Sequence, residues 1–421
     1  MPNPTVKIGG SYRIVRLADF SLGENRKSSD FSLTQRSAAR VKNFYLARDG
    51  SLIGRRGSRR WNSTSLGSGS VRGSTRAYAV PALGGVVADQ FWVAYHGTSV
   101  YLGDDLTASF SASRTGLSSI ADMWFLQVGK FLYSSNGADN HEKLDVNAQT
   151  WTPWGIAAPT AACTLAAGAA GTLTGSYVVR VTFVIASGAE SSGGPDSNTV
   201  TVTAQQINVT GIPLGPAGTT ARRLYGFKTS VSSVFQRILE IANNTATTST
   251  ITTDQDAWGV EIPTTGDVDR PPASAWISAF HKNRIWMIGD KTDKLYFSKV
   301  GVPQSALEQF PAENFLTIQF RGGDYGTALM PMGDVLFVFG HDSVHYIAGD
   351  TPGTFKPIRT FATAGCPGPW AVDKIQMPTG EVWLVYLSRN GVMVIQGRET
   401  VLISEPEEPF FTDLPEMTDA G

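Results

Sequence analysis

Residues 382–395 read Val-Trp-Leu-Val-Tyr-Leu-Ser-Arg-Asn-Gly-Val-Met-Val-Ile. A run rich in β-branched and aromatic residues meets Asn390-Gly391, and a second apolar run follows. Asn-Gly tolerates positive φ, so the stretch carries the signature of a β-hairpin. The unit recurs. Upstream it is Val335-Leu336-Phe337-Val338-Phe339 with Val344-His345-Tyr346-Ile347, and before that Arg284-Ile285-Trp286-Met287-Ile288 with Lys294-Leu295-Tyr296-Phe297. Three earlier copies are Phe131-Leu132-Tyr133 with Lys143-Leu144, Phe91 to Tyr95 with Val100-Tyr101-Leu102, and Asn43 to Leu46 with Ser51-Leu52-Ile53.

Neighbouring copies start roughly 40–50 residues apart, the length of one four-stranded propeller blade. The interval between the third and fourth copies is far longer, and removing residues 156–268 restores the spacing. The expected fold class is therefore all-β: an irregular β-propeller of about six blades, interrupted by an insert. The expected domains are 1–155 (an N-terminal arm and the first part of the propeller), 156–268 (the insert), 269–403 (the second part) and 404–421 (an acidic tail).

Within the insert the composition shifts to Ala, Gly, Thr, Ser and Val. Tyr177, Val179, Val181 and Phe183 alternate on one face, as in a half-buried strand. Further strands are expected at Thr199–Ala204, Gln206–Thr210, Ala221–Lys228 and Ser249–Thr253, with turns at Gly188, at Gly193-Gly194-Pro195 and at Gly211-Ile212-Pro213. Short strands with frequent turn signals over roughly 110 residues indicate a β-sandwich of immunoglobulin or fibronectin type.

Composition narrows the function classes. Charged residues are 17% of the chain and the formal net charge is −1, whereas a dedicated nucleic-acid binder carries a strongly basic domain or stripe. Two cysteines, Cys163 and Cys366, make neither a disulfide framework nor a zinc site. Residues 1–10 lack the apolar core of a signal peptide, and no stretch reaches the ~18 apolar residues of a membrane span. A protein made in the cytoplasm without a membrane anchor is expected. Enzyme motifs fail. His341 and His345 have the spacing of a zinc-protease pair but lie in a strand pattern that sets them too far apart for one ion. There is no G-x-S-x-G elbow, no P-loop and no marked carboxylate pair. No catalytic residue, metal or cofactor is expected.

Charge is uneven locally. Arg55, Arg56, Arg59 and Arg60 cluster, while Glu405, Glu407 and Glu408 open a C-terminal segment with no Lys or Arg. Either group serves as a plain solvated surface, or the two meet across neighbouring subunits, or the arginines touch DNA phosphates.

Several of these stretches together resemble the tail nozzle (tail tubular or hub) proteins of short-tailed bacteriophages. They are Ala39 to Leu46 leading into Asp49 to Gly57, the insert with Arg222-Arg223-Leu224-Tyr225-Gly226, Phe280 to Trp286 followed by Leu295 to Ser298 and Gly301-Val302-Pro303, and Gly340 to Ile347 with Leu387 to Val392. The resemblance implies a structural virion protein of the tail. It would form a ring of copies, a homohexamer, below the portal and adaptor ring, with tail fibres or a tip beneath. Genome DNA would pass through it in transient, non-specific contact during ejection. The competing expectation is a propeller-type binding module for a glycan or receptor, with Trp61, Trp151, Trp154 or Trp370 as its aromatic platform.

Overall fold

The computed structural model describes residues 5–8, 11–14, 44–46, 52–54, 62 and 65–404, apart from short gaps at 80–89, 105–108, 187, 264–269, 273, 290, 302–306, 312 and 321. Two short hairpins come first: β1 (Thr5–Ile8) with β2 (Ser11–Ile14), and β3 (Phe44–Leu46) with β4 (Leu52–Gly54). Two four-stranded sheets follow. One holds β5 (Val71–Tyr78), β6 (Gln90–His96), β7 (Ser99–Asp104) and β8 (Ser109–Arg114). The next holds β9 (Trp124–Val128), β10 (Phe131–Ser135), β11 (Glu142–Asp145) and β12 (Thr150–Pro153).

The insert contributes β13 (Thr164–Ile185), β14 (Val200–Thr210), β15 (Thr219–Lys228), β16 (Gln236–Ile241) and β17 (Ser249–Ile251). Three further four-stranded sheets complete the chain. They are β18 (Ala275–His281) to β21 (Phe315–Thr317) through β19 (Arg284–Gly289) and β20 (Lys294–Phe297); β22 (Gly326–Met332) to β25 (Lys356–Arg359) through β23 (Val335–Gly340) and β24 (Val344–Ala348); and β26 (Val372–Gln376) to β29 (Glu399–Leu402) through β27 (Val382–Ser388) and β28 (Gly391–Gln396).

The chain is an irregular β-propeller carrying an inserted β-sandwich. In each four-stranded sheet the strands follow one another in chain order, and the hairpin legible in the sequence is its inner pair. Inner strands are covered on both faces, so they need an unbroken apolar sequence; every residue of β19 and β23 is buried. The turns obey the twist of the strands they join. His96 and Ser99 pair around a two-residue loop in which Gly97 has φ +61°. His281 and Arg284 close a loop in which Lys282 and Asn283 both take positive φ, +47° and +56°, the geometry of a type I′ turn.

The chain divides into two compact units, one of residues 62–338 and 346–358, the other of 1–61, 339–345 and 359–421. In the first, successive sheets are joined by successive cores. Val93, Tyr95 and Val100 meet Leu132 and Leu144. Tyr133 and Trp154 meet Ala275, Ile285 and Met287. Trp286, Ile288 and Leu295 meet Leu336, Val338 and Ile347. Although the insert separates β12 from β18 in sequence, their sheets share a core.

The insert forms one antiparallel ladder in the order β16-β15-β13-β14-β17. Tyr177, Val179 and Val181 point into a core that also holds Leu165, Val209, Leu224, Ile241 and Ile251. Strand β13 pairs with β14 along its first half and with β15 along its second. The β13–β14 register shifts between Ala167 and Gly175, and Ala204 takes φ +50° opposite that irregularity. Two expected strands, 199–204 and 206–210, are thus one. Arg222 is fully buried without a carboxylate; its guanidinium donates to the carbonyl oxygens of Pro213 (3.2 Å), Asn243 (3.2 Å) and Ala246 (2.6 Å). A buried cation satisfied this way ties the two loops it reaches to strand β15. Truncating the central core residue Leu224→Ala is expected to cost about 2–5 kcal/mol, read as a lowered urea midpoint of the first unit.

Candidate functional site

A polar cluster lies in the first unit, around the β10–β11 loop. Asn136 Oδ1 accepts the amides of Ala138 (3.1 Å) and Asp139 (2.8 Å), and its Nδ2 donates to Asp139 Oδ2 at 2.7 Å. The same Asp139 oxygen accepts the amide of Ser118 at 2.7 Å, while Arg114 Nε donates to Glu142 Oε2 at 2.6 Å. Arg114, Asn136, Asp139, Glu142 and Trp151 line a cleft with about 10 Å³ of free room, enough for roughly one water.

Beside the cleft, His141 is 2% exposed, packs 5.5 Å from the Trp154 ring, and lies with Nε2 2.7 Å from the Ala275 carbonyl oxygen. A carbonyl only accepts, so Nε2 carries the proton and donates. Lys143 pairs with buried Glu308; burial pushes the Glu308 carboxyl above the usual carboxylate range and Lys143 opposes that. Each charge here is engaged in holding loops or sheets, and the cleft is too small for an organic substrate. Among the described residues no group of three or more His, Cys, Asp or Glu could hold a metal ion.

The sequence-derived site residues distribute unevenly. Arg55, Arg56, Arg59, Arg60, Glu405, Glu407 and Glu408 lie outside the described residues, as does Trp61. Trp154 is fully buried in a sheet-to-sheet core. Trp151 is half-buried and donates from Nε1 to Ser113 Oγ at 2.9 Å. Trp370 keeps 54% of its surface exposed. His345 is buried in β24, and His341 sits in the preceding turn with Nδ1 3.4 Å from its neighbour Asp342. Cys163 and Cys366 are buried, and burial pushes each thiol up to about 11.

The second unit presents apolar surface instead. Residues 360–366 form a loop held by four hydrogen bonds at three residues. The Thr360 amide and hydroxyl both donate to the Val344 carbonyl (2.9 Å each), and the Cys366 amide donates to Gly340 O at 2.9 Å. The Tyr386 hydroxyl reaches Ala364 O at 3.1 Å. Thr360, Ala362, Ala364 and Cys366 face inward, and between them Phe361 stands 99% exposed.

The sheet that follows has two unlike faces. One row set, Val372 opposite Tyr386 and Lys374 opposite Leu384, continues into Met393 and Ile395 and supplies buried residues. The other face aligns Ile375 with Trp383, and Val385 with Val394 and Val401; Leu387 pairs Val392, beside which Ile403 donates its amide at 3.0 Å. On this face Ile375, Val401 and Ile403 remain 45%, 52% and 55% exposed. Sequence reasoning did not single out Phe361. Its setting among Thr, Ala, Gly and Pro carries no periodicity, and only the bonds that pin the loop show it facing out.

No family model matches the chain, and no curated protein does. Solved structures similar to it include YCF48 bound to D1 peptide (12% identity, 74% of this chain and 88% of that one, TM-score 0.21). Another is an oligogalacturonate lyase from Vibrio parahaemolyticus (7% identity, 74% and 73%, TM-score 0.26). A third is the S. cerevisiae assembly of Dbp5 with Nup159 and Gle1 (8% identity, 72% and 72%, TM-score 0.26). Superposition is poor at these scores, so the fold rests on the sheets themselves.

Two outcomes are expected. Burial lowers the His141 pKa from 6.5 to about 4, so the unfolded chain takes up the proton first. The stability this contributes is complete above pH 6.5 and is lost as pH falls toward 4, on the order of 3 kcal/mol. Urea midpoints measured across that range will fall, and His141→Gln will flatten the fall. A Cβ at Gly365 would lie 2.0 Å from Gly340 O. Gly365→Ala will therefore destabilise the loop by roughly 2 kcal/mol or more and raise amide exchange at residues 360–366.

Proposed function

We propose that this protein is a non-enzymatic structural component of a phage tail, a nozzle or hub whose copies form a ring below the portal and adaptor and conduct the genome during ejection. The observation that carries the reading is Phe361, fully exposed on a loop fixed by four hydrogen bonds at three residues. An aromatic side chain on a rigid support loses little entropy on burial, which makes it suited to anchor a protein–protein contact. The polar cluster around the β10–β11 loop is engaged in the fold, so it does not compete for the role. Stacked four-stranded sheets give the stiffness a conduit needs. The near-neutral charge, formally −1, suits DNA that must slide rather than bind, because phosphate contacts are what give DNA its grip.

Solution mass and negative-stain images of the purified protein over a range of concentrations test the reading. A ring of about six copies with a central hole is the expected result. A monomer at every concentration would transfer the assignment to a glycan- or receptor-binding propeller module, for which the half-exposed Trp370 is the platform to probe on a glycan array.

A further inference from the structure

The second unit carries an exposed knob and an apolar platform. The knob is Phe361. The platform is the face of β26–β29 on which Ile375, Val401 and Ile403 are exposed, Trp383, Val385 and Leu387 are half-buried, and Val394 at the centre is 4% exposed. They lie on opposite sides of one sheet. Tyr386 belongs to the buried rows, and its hydroxyl holds Ala364 three residues from Phe361, so the knob loop is on the side away from the platform.

We propose, resting on the ring reading above, that the Phe361 knob of one copy seats on the β26–β29 platform of the next. The occupant is a second copy for two reasons. First, a knob and a platform on opposite sides of one element cannot satisfy each other within a chain, yet they can do so head to tail. That heterologous contact closes into a ring when the rotation permits. A two-fold contact would instead set platform on platform and leave Phe361 exposed. Second, a four-stranded face about 20 Å on each side offers at most roughly 400 Å², and less with Val394 already buried, so under half of the ~800 Å² per partner of a stable binary interface. One such contact is weak alone, and it gains from a closed ring in which every copy is held by two neighbours. Asp373 and Glu399 at the margin of the face leave its centre apolar.

Disulfide trapping tests this cleanly, because both native cysteines are buried. The double variant Phe361→Cys with Val401→Cys, mildly oxidised, should give a ladder of cross-linked oligomers, whereas each single variant should stop at monomers or traces of dimer. In parallel, Phe361→Ser and Val401→Glu should each weaken self-association roughly 10-fold or more, with melting curves unchanged because both positions are exposed. Three results overturn the inference. Rings that form equally well with Phe361→Ser and Val401→Glu would sink it while leaving the nozzle reading standing. Efficient Val401→Cys dimers would show platform against platform. Wild-type protein that never self-associates would remove the ring reading, and this contact with it.

Discussion

The fold depends on the seam where the chain, after leaving the propeller for the insert, must rejoin it. Sheets β9–β12 and β18–β21 are neighbours in space but are separated by the whole five-stranded module in sequence. Apolar packing of Tyr133 and Trp154 against Ala275, Ile285, Met287 and Phe310 supplies the attraction. Directional bonds then set the register. Trp124 Nε1 donates to Ser278 O, Ser135 Oγ to Trp276 O and His141 Nε2 to Ala275 O, each at 2.7 Å. Three side chains from one sheet thus hold carbonyls of a single strand, β18. That strand is an edge of its sheet, so the seam also covers backbone groups that would otherwise face water.

The polar groups around the same seam are engaged with one another. Lys143 and Glu308, His141, and the Asn136–Asp139 turn are the kinds of group that build catalytic sites elsewhere. Here each is tied to a neighbour whose removal would leave a buried polar group unsatisfied. In the second unit the division of labour is reversed. Backbone hydrogen bonds fix the 360–366 loop, and what it offers to solvent is a phenyl ring.

The inner hairpins could be read from sequence because burial on both faces forces an unbroken apolar run, as in Val335 to Phe339, and because Asn-Gly and His-Gly mark the turns. Outer strands such as Glu399–Leu402 mix charged and apolar residues and leave no clear period. In the insert, the alternating Tyr177, Val179 and Val181 do enter the main core, but the strand is not half-buried: Val178, Thr182 and Val184 on its other face are buried as well. The first half of β13 stayed hidden because Ala166 to Gly171 carry almost no side chain. Gly168 and Gly171 lie against Asn208 and Gln206, where a Cβ would come within 2.9 Å and 2.7 Å. Strand β16, Gln236–Ile241, was missed as well: its residues are mostly half-buried, so no clean two-residue period shows. The candidate surface was the least legible part, since exposure of Phe361 follows from contacts distant in sequence and not from its own neighbours. The arginine cluster and the acidic segment lie outside the described residues, and their roles stay with the resemblance that suggested them.

The strand order of the insert has a mechanical consequence. The chain does not leave the ladder at β17. Beyond it Asp254 accepts from Tyr177 and Lys228, Trp258 joins the core, the Arg237 amide donates to Val260 O and the Ile262 amide donates to Phe235 O. Tension applied at the exit therefore reaches the bonds that hold residues 259–262 to the edge strand β16 before it reaches the three pairs of β17 with β14.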